Sequence, residues 1–152
     1  MEPIIRTVLC FVLLSAGAVA TAAPPAASAC LPAIEDGWLR LPPMDMPMLA
    51  GFARIANGCA APAAIVSASS PAFASVELHE TRIVDGVSRM RAVPELPIAA
   101  GGEAVLRPGG LHLMLMQPRA SLAPGERAEV AFTLADGRLV RGIFEVRAAT
   151  AR

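Results

Sequence analysis

Residues Ser75–Val93 read SVELHETRIVDGVSRMRAV, two runs joined by Asp85-Gly86. Asp-Gly between such runs is a strong short-range signal for a two-residue hairpin turn. The stretch predicts one strand from Ser75 to Val84 and another from Val87 to Val93. With Asp85 and Gly86 as the turn, Val84 faces Val87, and counting back along both strands Thr81 faces Met90. His79 lies two residues from Thr81 and shares its face. His79 and Met90 then become diagonal neighbours, roughly 7–8 Å apart at the backbone and within reach of long side chains. A slip of one residue would send them to opposite faces.

The same reading extends along the chain. Short apolar runs alternate with turn signals: strands at Trp38–Leu41, Gly51–Asn57 (Phe52 and Ile55 as core), Ala64–Ala68 and Leu111–Met116, with a short one at Val105-Leu106. Ala128–Leu134 and Leu139–Val146 form a last hairpin around Asp136-Gly137, and Leu96–Ala104 reads as a Pro/Gly-rich connection. No window of 11–18 residues shows a helical period. The pattern predicts an all-β sandwich or barrel with little or no helix.

Composition removes several classes of function. The chain has 152 residues, 13 Arg with no Lys against 13 Asp plus Glu, and a formal net charge of zero. A nucleic-acid binder should carry a basic face, and a membrane-surface protein a polybasic one. Without lysine, Schiff-base and Walker-type chemistry are excluded. His79 and His112 are the only histidines, so a three-histidine metal site within one chain is excluded too. Neither lies near an elbow-type serine, and nothing resembles a hydrolytic triad. We expect no enzyme activity.

The N-terminus reads as an export signal. Arg6 forms a minimal charged region, Val8–Val19 an apolar one, and Ala18-Val19-Ala20 or Ala20-Thr21-Ala22 offers a cleavage triplet. The expected organisation is a signal peptide over 1–22, a flexible Ala/Pro-rich lead-in over 23–31 and a β-sandwich over 32–148, with no stable membrane insertion after cleavage. Cys10 would leave with the signal, and Cys30 and Cys59 remain as an even pair in an exported domain. A Cys30–Cys59 disulfide is expected; the other readings are two free thiols or a lipid-bearing Cys30.

In Leu111-His112-Leu113-Met114-Leu115-Met116 the leucines form one strand face, the core face, and His112, Met114 and Met116 form the other. Two local patterns therefore each bring one imidazole and one thioether together. Soft thioether sulfur with borderline imidazole selects Cu(I) over Zn, Ca or Mg. Thioether sulfur also cannot be consumed by disulfide formation, which suits an oxidising compartment. The bland alternative makes the methionines core filler and the histidines surface residues, in an exported β-sandwich interaction module without a metal role.

The spacing His79-x10-Met90-x21-His112-x-Met114 resembles the H-x10-M-x21-H-x-M signature of periplasmic copper chaperones of the PCuAC family. His79-Glu80-Thr81, Gly86-Val87, Met90-Arg91, Leu96-Pro97-Ile98 and Pro108-Gly109-Gly110-Leu111 are similar to the family as well, over roughly residues 30 to 147. The resemblance implies a cupredoxin-like β-sandwich without the cupredoxin cysteine ligand. It implies a Cu(I) site made by His79, Met90, His112 and Met114. It further implies periplasmic delivery of copper to a respiratory oxidase, often its CuA centre, alongside Sco-type proteins. Two departures stand out: Glu80 follows the first histidine where many relatives have Met, and the chain ends Ala148-Ala149-Thr150-Ala151-Arg152 without a His/Met-rich tail. Met44-Asp45-Met46-Pro47-Met48 reads as a Pro-rich loop packed on the core, with a contribution of soft ligands from it or from Met116 left open.

A protonated imidazole cannot ligate a metal. Affinity for Cu(I) should therefore fall as pH drops through the reference imidazole value, about 6.5. Competition titrations between pH 7.5 and 5 measure this, and a flat profile counts against histidine ligation.

Overall fold

The hairpin forms in the register that alternation requires. Val84 pairs with Val87 and Thr81 with Met90, and both turn residues take positive φ, 50° at Asp85 and 75° at Gly86. Such a turn matches the twist of the flanking strands, and glycine adopts its second position without steric cost.

The computed structural model describes residues 30–151. The expected signal peptide and most of the lead-in lie outside them. Ten strands follow one another: β1 (Ala33–Arg40), β2 (Met48–Ala56), β3 (Ala63–Ser69), β4 (Phe73–Val84), β5 (Val87–Ala92), β6 (Leu96–Ile98), β7 (Glu103–Leu106), β8 (Leu111–Pro118), β9 (Arg127–Leu134) and β10 (Leu139–Arg147). No helix occurs among the described residues. The all-β sandwich read from the sequence is the architecture found.

The order is β5-β4-β8-β2-β1-β10-β9-β3-β6, with β7 on β2 and a further β3–β4 pairing. That last contact, Ala68 with Val76, closes the sheet on itself and leaves β5 as an outer strand on β4. β1 and β10 run parallel, and the other pairings are antiparallel. The core lies inside the closure. Leu39, Ile55, Leu113, Leu115, Val130 and Phe144 are among its residues, each fully buried. Gly51 admits the close approach of β8 to β2 over this core: a Cβ there would lie 2.9 Å from a Leu115 methyl.

Several strand boundaries differ from the sequence reading; β2 starts three residues earlier, at Met48, and β4 two earlier, at Phe73. β1 begins at Ala33 rather than Trp38. Its first half, Ala-Ile-Glu-Asp-Gly, has turn composition and carries a pairing irregularity between Glu35 and Trp38, with Asp36 at φ 53°. The connection Leu96–Ala104 holds β6 and the start of β7, because Ala63, Ala64 and Ile65 of β3 pair with Ile98, Pro97 and Leu96. The last hairpin uses a three-residue loop, with Leu134 N–H donating to the Arg138 carbonyl and Gly137 at φ 85°. Phe52 is buried, but it is not part of the core cluster that contains Ile55. It pairs with Trp38, its ring centroid 4.5 Å from the indole, and the Arg40 guanidinium covers it at 5.1 Å. Residues 52 and 55 have opposite parity on a strand, so they cannot share a face.

Cys30 and Cys59 are joined as expected. The loop beyond is tied by Asn57, a buried polar side chain whose Nδ2 reaches the carbonyls of Ala61, Ile98 and Ala99. Arg54 draws β1, β2 and β7 together through ion pairs with Glu35 and Glu103. Reducing the disulfide should lower unfolding stability by about 3–4 kcal/mol, from the chain entropy released by a loop of 29-residue separation. Denaturant unfolding with and without reductant measures it.

Candidate metal centre

β8 carries the centre because its two faces differ. Leu113 and Leu115 are fully buried on the core side. His112, Met114 and Met116 project to the other side, as their parity demands. β4 lies alongside with His79 directly opposite His112 and Glu77 opposite Met114. β5 continues the face, with Met90 opposite Thr81. Three adjacent strands thus gather both imidazoles and two thioethers on one outer face, and the His79 and His112 ring centroids are 6.2 Å apart.

Hydrogen bonding fixes the state of both neutral rings. His112 Nδ1 lies 2.9 Å from the Gly110 carbonyl. A carbonyl only accepts, so Nδ1 carries the proton and Nε2 keeps its lone pair. That Nε2 faces Met90 Sδ at 3.2 Å. Two electron-pair donors thus point at one another with no proton to share. His79 Nε2 lies 2.9 Å from a Glu77 carboxylate oxygen, which places its proton on Nε2. Its Nδ1 is buried with no hydrogen-bond partner. An orphaned buried ring nitrogen is uncommon, and a ring held by its other nitrogen is the usual arrangement of a metal-binding histidine.

The four residues are not equally close. His112 and Met90 are in contact, and His79 sits across from His112. Met114 shares the face but lines an adjoining cavity with Met46 and Met48. His112 is buried, whereas Met90 on the outer strand is 53% exposed. No group of three or more His, Cys, Asp or Glu side chains suited to a metal occurs among the described residues, so this donor set depends on thioether sulfur.

Glu77 was missed by sequence reasoning, although residues 77, 79 and 81 share a face by parity. Glu80 turns to the opposite side, as alternation requires. The Arg91 and Arg82 guanidinium groups beside it hold its carboxyl below the usual carboxylate range. The pairing with Arg91 spans β4 and β5 and braces the hairpin that carries Met90.

The family described as "Putative lipoprotein LpqE-like" matches residues 32–146. The fold is that of an all-β domain, and the chain belongs to the LpqE-like family. "Putative lipoprotein Lxx21020" of Leifsonia xyli subsp. xyli is 37% identical over 91 residues. That match covers 59% of this chain and 55% of the relative, so the chain spans about half of that protein's length. Among solved structures, apo-DR1885 from Deinococcus radiodurans is 26% identical with a TM-score of 0.61, over 92% of this chain and 97% of that one. The CuI form of DR1885 gives 27% and 0.57, over 77% and 75%. A copper-bound PCuAC domain from PmoF2 shares the fold at 21% identity and a TM-score of 0.61, over 76% of this chain and 91% of that one.

The hydrogen bonds predict two different tautomers. Nitrogen-15 NMR of the neutral, metal-free protein should show His112 protonated at Nδ1 and His79 at Nε2. The reverse pattern would overturn this description of the centre.

Proposed function

We propose that the chain is a periplasmic Cu(I)-binding metallochaperone that holds its cargo with His79, Met90, His112 and Met114. The observation that carries this is the 3.2 Å opposition of His112 Nε2 and Met90 Sδ, beside the unpartnered Nδ1 of His79. Free lone pairs of nitrogen and sulfur converging on one face suit a soft monovalent ion. The similarity to DR1885, whose solved forms include a CuI state, supports the same reading.

The chemistry is exchange of ligands, with no substrate transformed and no enzyme activity. The two rings are held by Gly110 and Glu77, so their lone pairs stay aimed while the ion is absent. Met90 stands on the outer strand, where an acceptor ligand can approach as this sulfur withdraws. Copper keeps its oxidation state throughout, one bond to copper forming as another breaks. In this proposal the acceptor is a copper-centre subunit of a respiratory oxidase, CuA-type, with a Sco-type protein as a further partner.

Export is part of the proposal. The Cys30–Cys59 bond suits an oxidising compartment. The relative's name includes the word lipoprotein, but in this structure the Cys30 sulfur is committed to Cys59 and is not free to carry a lipid thioether.

The test is anaerobic Cu(I) titration of residues 23–152 against a chromogenic competitor, beside a His79→Ala/Met90→Ala variant. This span retains all ten strands and the disulfide. Tight binding at this site in the parent should weaken at least a hundredfold in the variant while the fold is kept. Equal binding by both proteins, or none by either, would return the chain to an exported interaction module.

A further inference from the structure

Six of the seven methionines lie within the described residues, and none belongs to the buried core. That is unusual for a side chain whose ordinary use is filling core gaps. Met90 and Met114 are absorbed by the proposed copper site. Of the other four, Met44 is exposed to solvent on the loop, which leaves Met46, Met48 and Met116.

The fold brings these three together. Met48 pairs directly with Met116 across β2 and β8, and the next pair on the same face is Ala50 with Met114. The loop before β2 turns back on the strand end: Met48 N–H donates to the Met46 carbonyl, and Gln117 N–H to the Pro47 carbonyl. This seats Met46 beside Met48. Met46, Met48 and Met114 line one cavity of ≈ 150 Å³. Met46 also lines the larger open cleft beside it, together with Met44 and Asp45. Arg40, the one cation lining the smaller cavity, has its guanidinium drawn over the Phe52 ring at 5.1 Å.

We propose that Met46, Met48 and Met116 form a second, thioether-only site for a soft monovalent cation, with Met114 as the sulfur shared with the histidine centre. Neutral sulfur donors without imidazole favour Cu(I) and its surrogate Ag(I) over harder ions. Rows of side chains two residues apart on β8 are one pleat repeat distant, roughly 7 Å. Met114 therefore stands one repeat from Met116 and one from His112. An ion held by the methionine trio passes to the histidine centre when its bond to a trio sulfur is replaced by a bond to Met114. The ion stays monovalent, and no proton or electron moves. The inference rests on the proposed Cu(I) reading of the histidine centre for its role, though not for the binding itself.

The test uses residues 23–152 labelled with carbon-13 at the methionine methyls and titrated with Ag(I). In a His79→Ala/His112→Ala variant, one equivalent should shift the Met46, Met48 and Met116 methyls together. Adding Met46→Leu, Met48→Leu and Met116→Leu, which keep apolar volume without sulfur, should weaken binding at least tenfold with the folded spectrum preserved. The unmodified protein serves as the second measurement if the histidine variant fails to fold: its trio methyls should move by the second equivalent. Trio methyls that stay still there, or leucine substitutions that leave binding unchanged, overturn the proposal. Failure of the histidine reading looks different: Met90 and the His112 ring remain unperturbed while the trio responds.

Discussion

The antiparallel ladder between β4 and β8 sets His79 across from His112, and apolar residues on the far side of the same strand hold that register. Leu113 and Leu115 have no exposed surface. Burying each is worth about 1.5–3 kcal/mol relative to solvent. A one-residue slip would turn both outward and His112 inward, at a cost of about 3–6 kcal/mol from the leucines alone. A domain's whole stability is only about 5–15 kcal/mol. The core thus decides which way the proposed metal ligands point.

On that face the local bonding runs against the usual accounting of polar groups. A buried acceptor without a donor costs about 1–3 kcal/mol. Here His79 Nδ1 has no partner, and His112 Nε2 meets a sulfur that offers no proton. The fold tolerates this because each ring is fixed through its other nitrogen, to Gly110 or to Glu77. Under the proposed function, a Lewis acid relieves both deficits at once, and the rings need no reorientation to receive it. The binding energy is then not spent on arranging ligands.

What was legible in the sequence was whatever alternation and turn chemistry determine locally. The Asp85-Gly86 turn fixes the pairing of Thr81 with Met90, and the parity of Leu111–Met116 separates core from site. Cys30 and Cys59, the even pair that remains once Cys10 is read as part of an expected export signal, were enough to anticipate their bond. What depends on distant partners was not legible. β6 is three residues long and contains Pro97; it is a strand because β3 lies beside it. The direct pairing of His79 with His112 comes from β4 meeting β8, which neither hairpin encodes. Phe52 is buried as its hydrophobicity predicts, but its parity with Ala50 and Met48 places it on the face of Met114, where Trp38 and Arg40 cover it. Glu77 shares the face of His79 by the same rule, but its contact with the ring depends on side-chain placement that alternation alone does not give.

The four proposed ligands differ in how firmly they are held, and that difference bears on release. β4 and β8 have paired neighbours on both sides, so the two rings sit in the interior of the sheet. β5 has β4 alone, and all six of its residues are exposed. Segments with few buried contacts open at the lowest free-energy cost. Met90 is therefore the donor that can move while the imidazoles stay in place. Arg82, Arg89 and Arg91 line the cleft around it, and the Glu80–Arg91 ion pair, which spans β4 and β5, limits how far the strand can stray. Under the proposed function, a fixed pair of nitrogens sets retention and a movable sulfur at the edge sets exchange. Each property can then be adjusted by residues the other does not use.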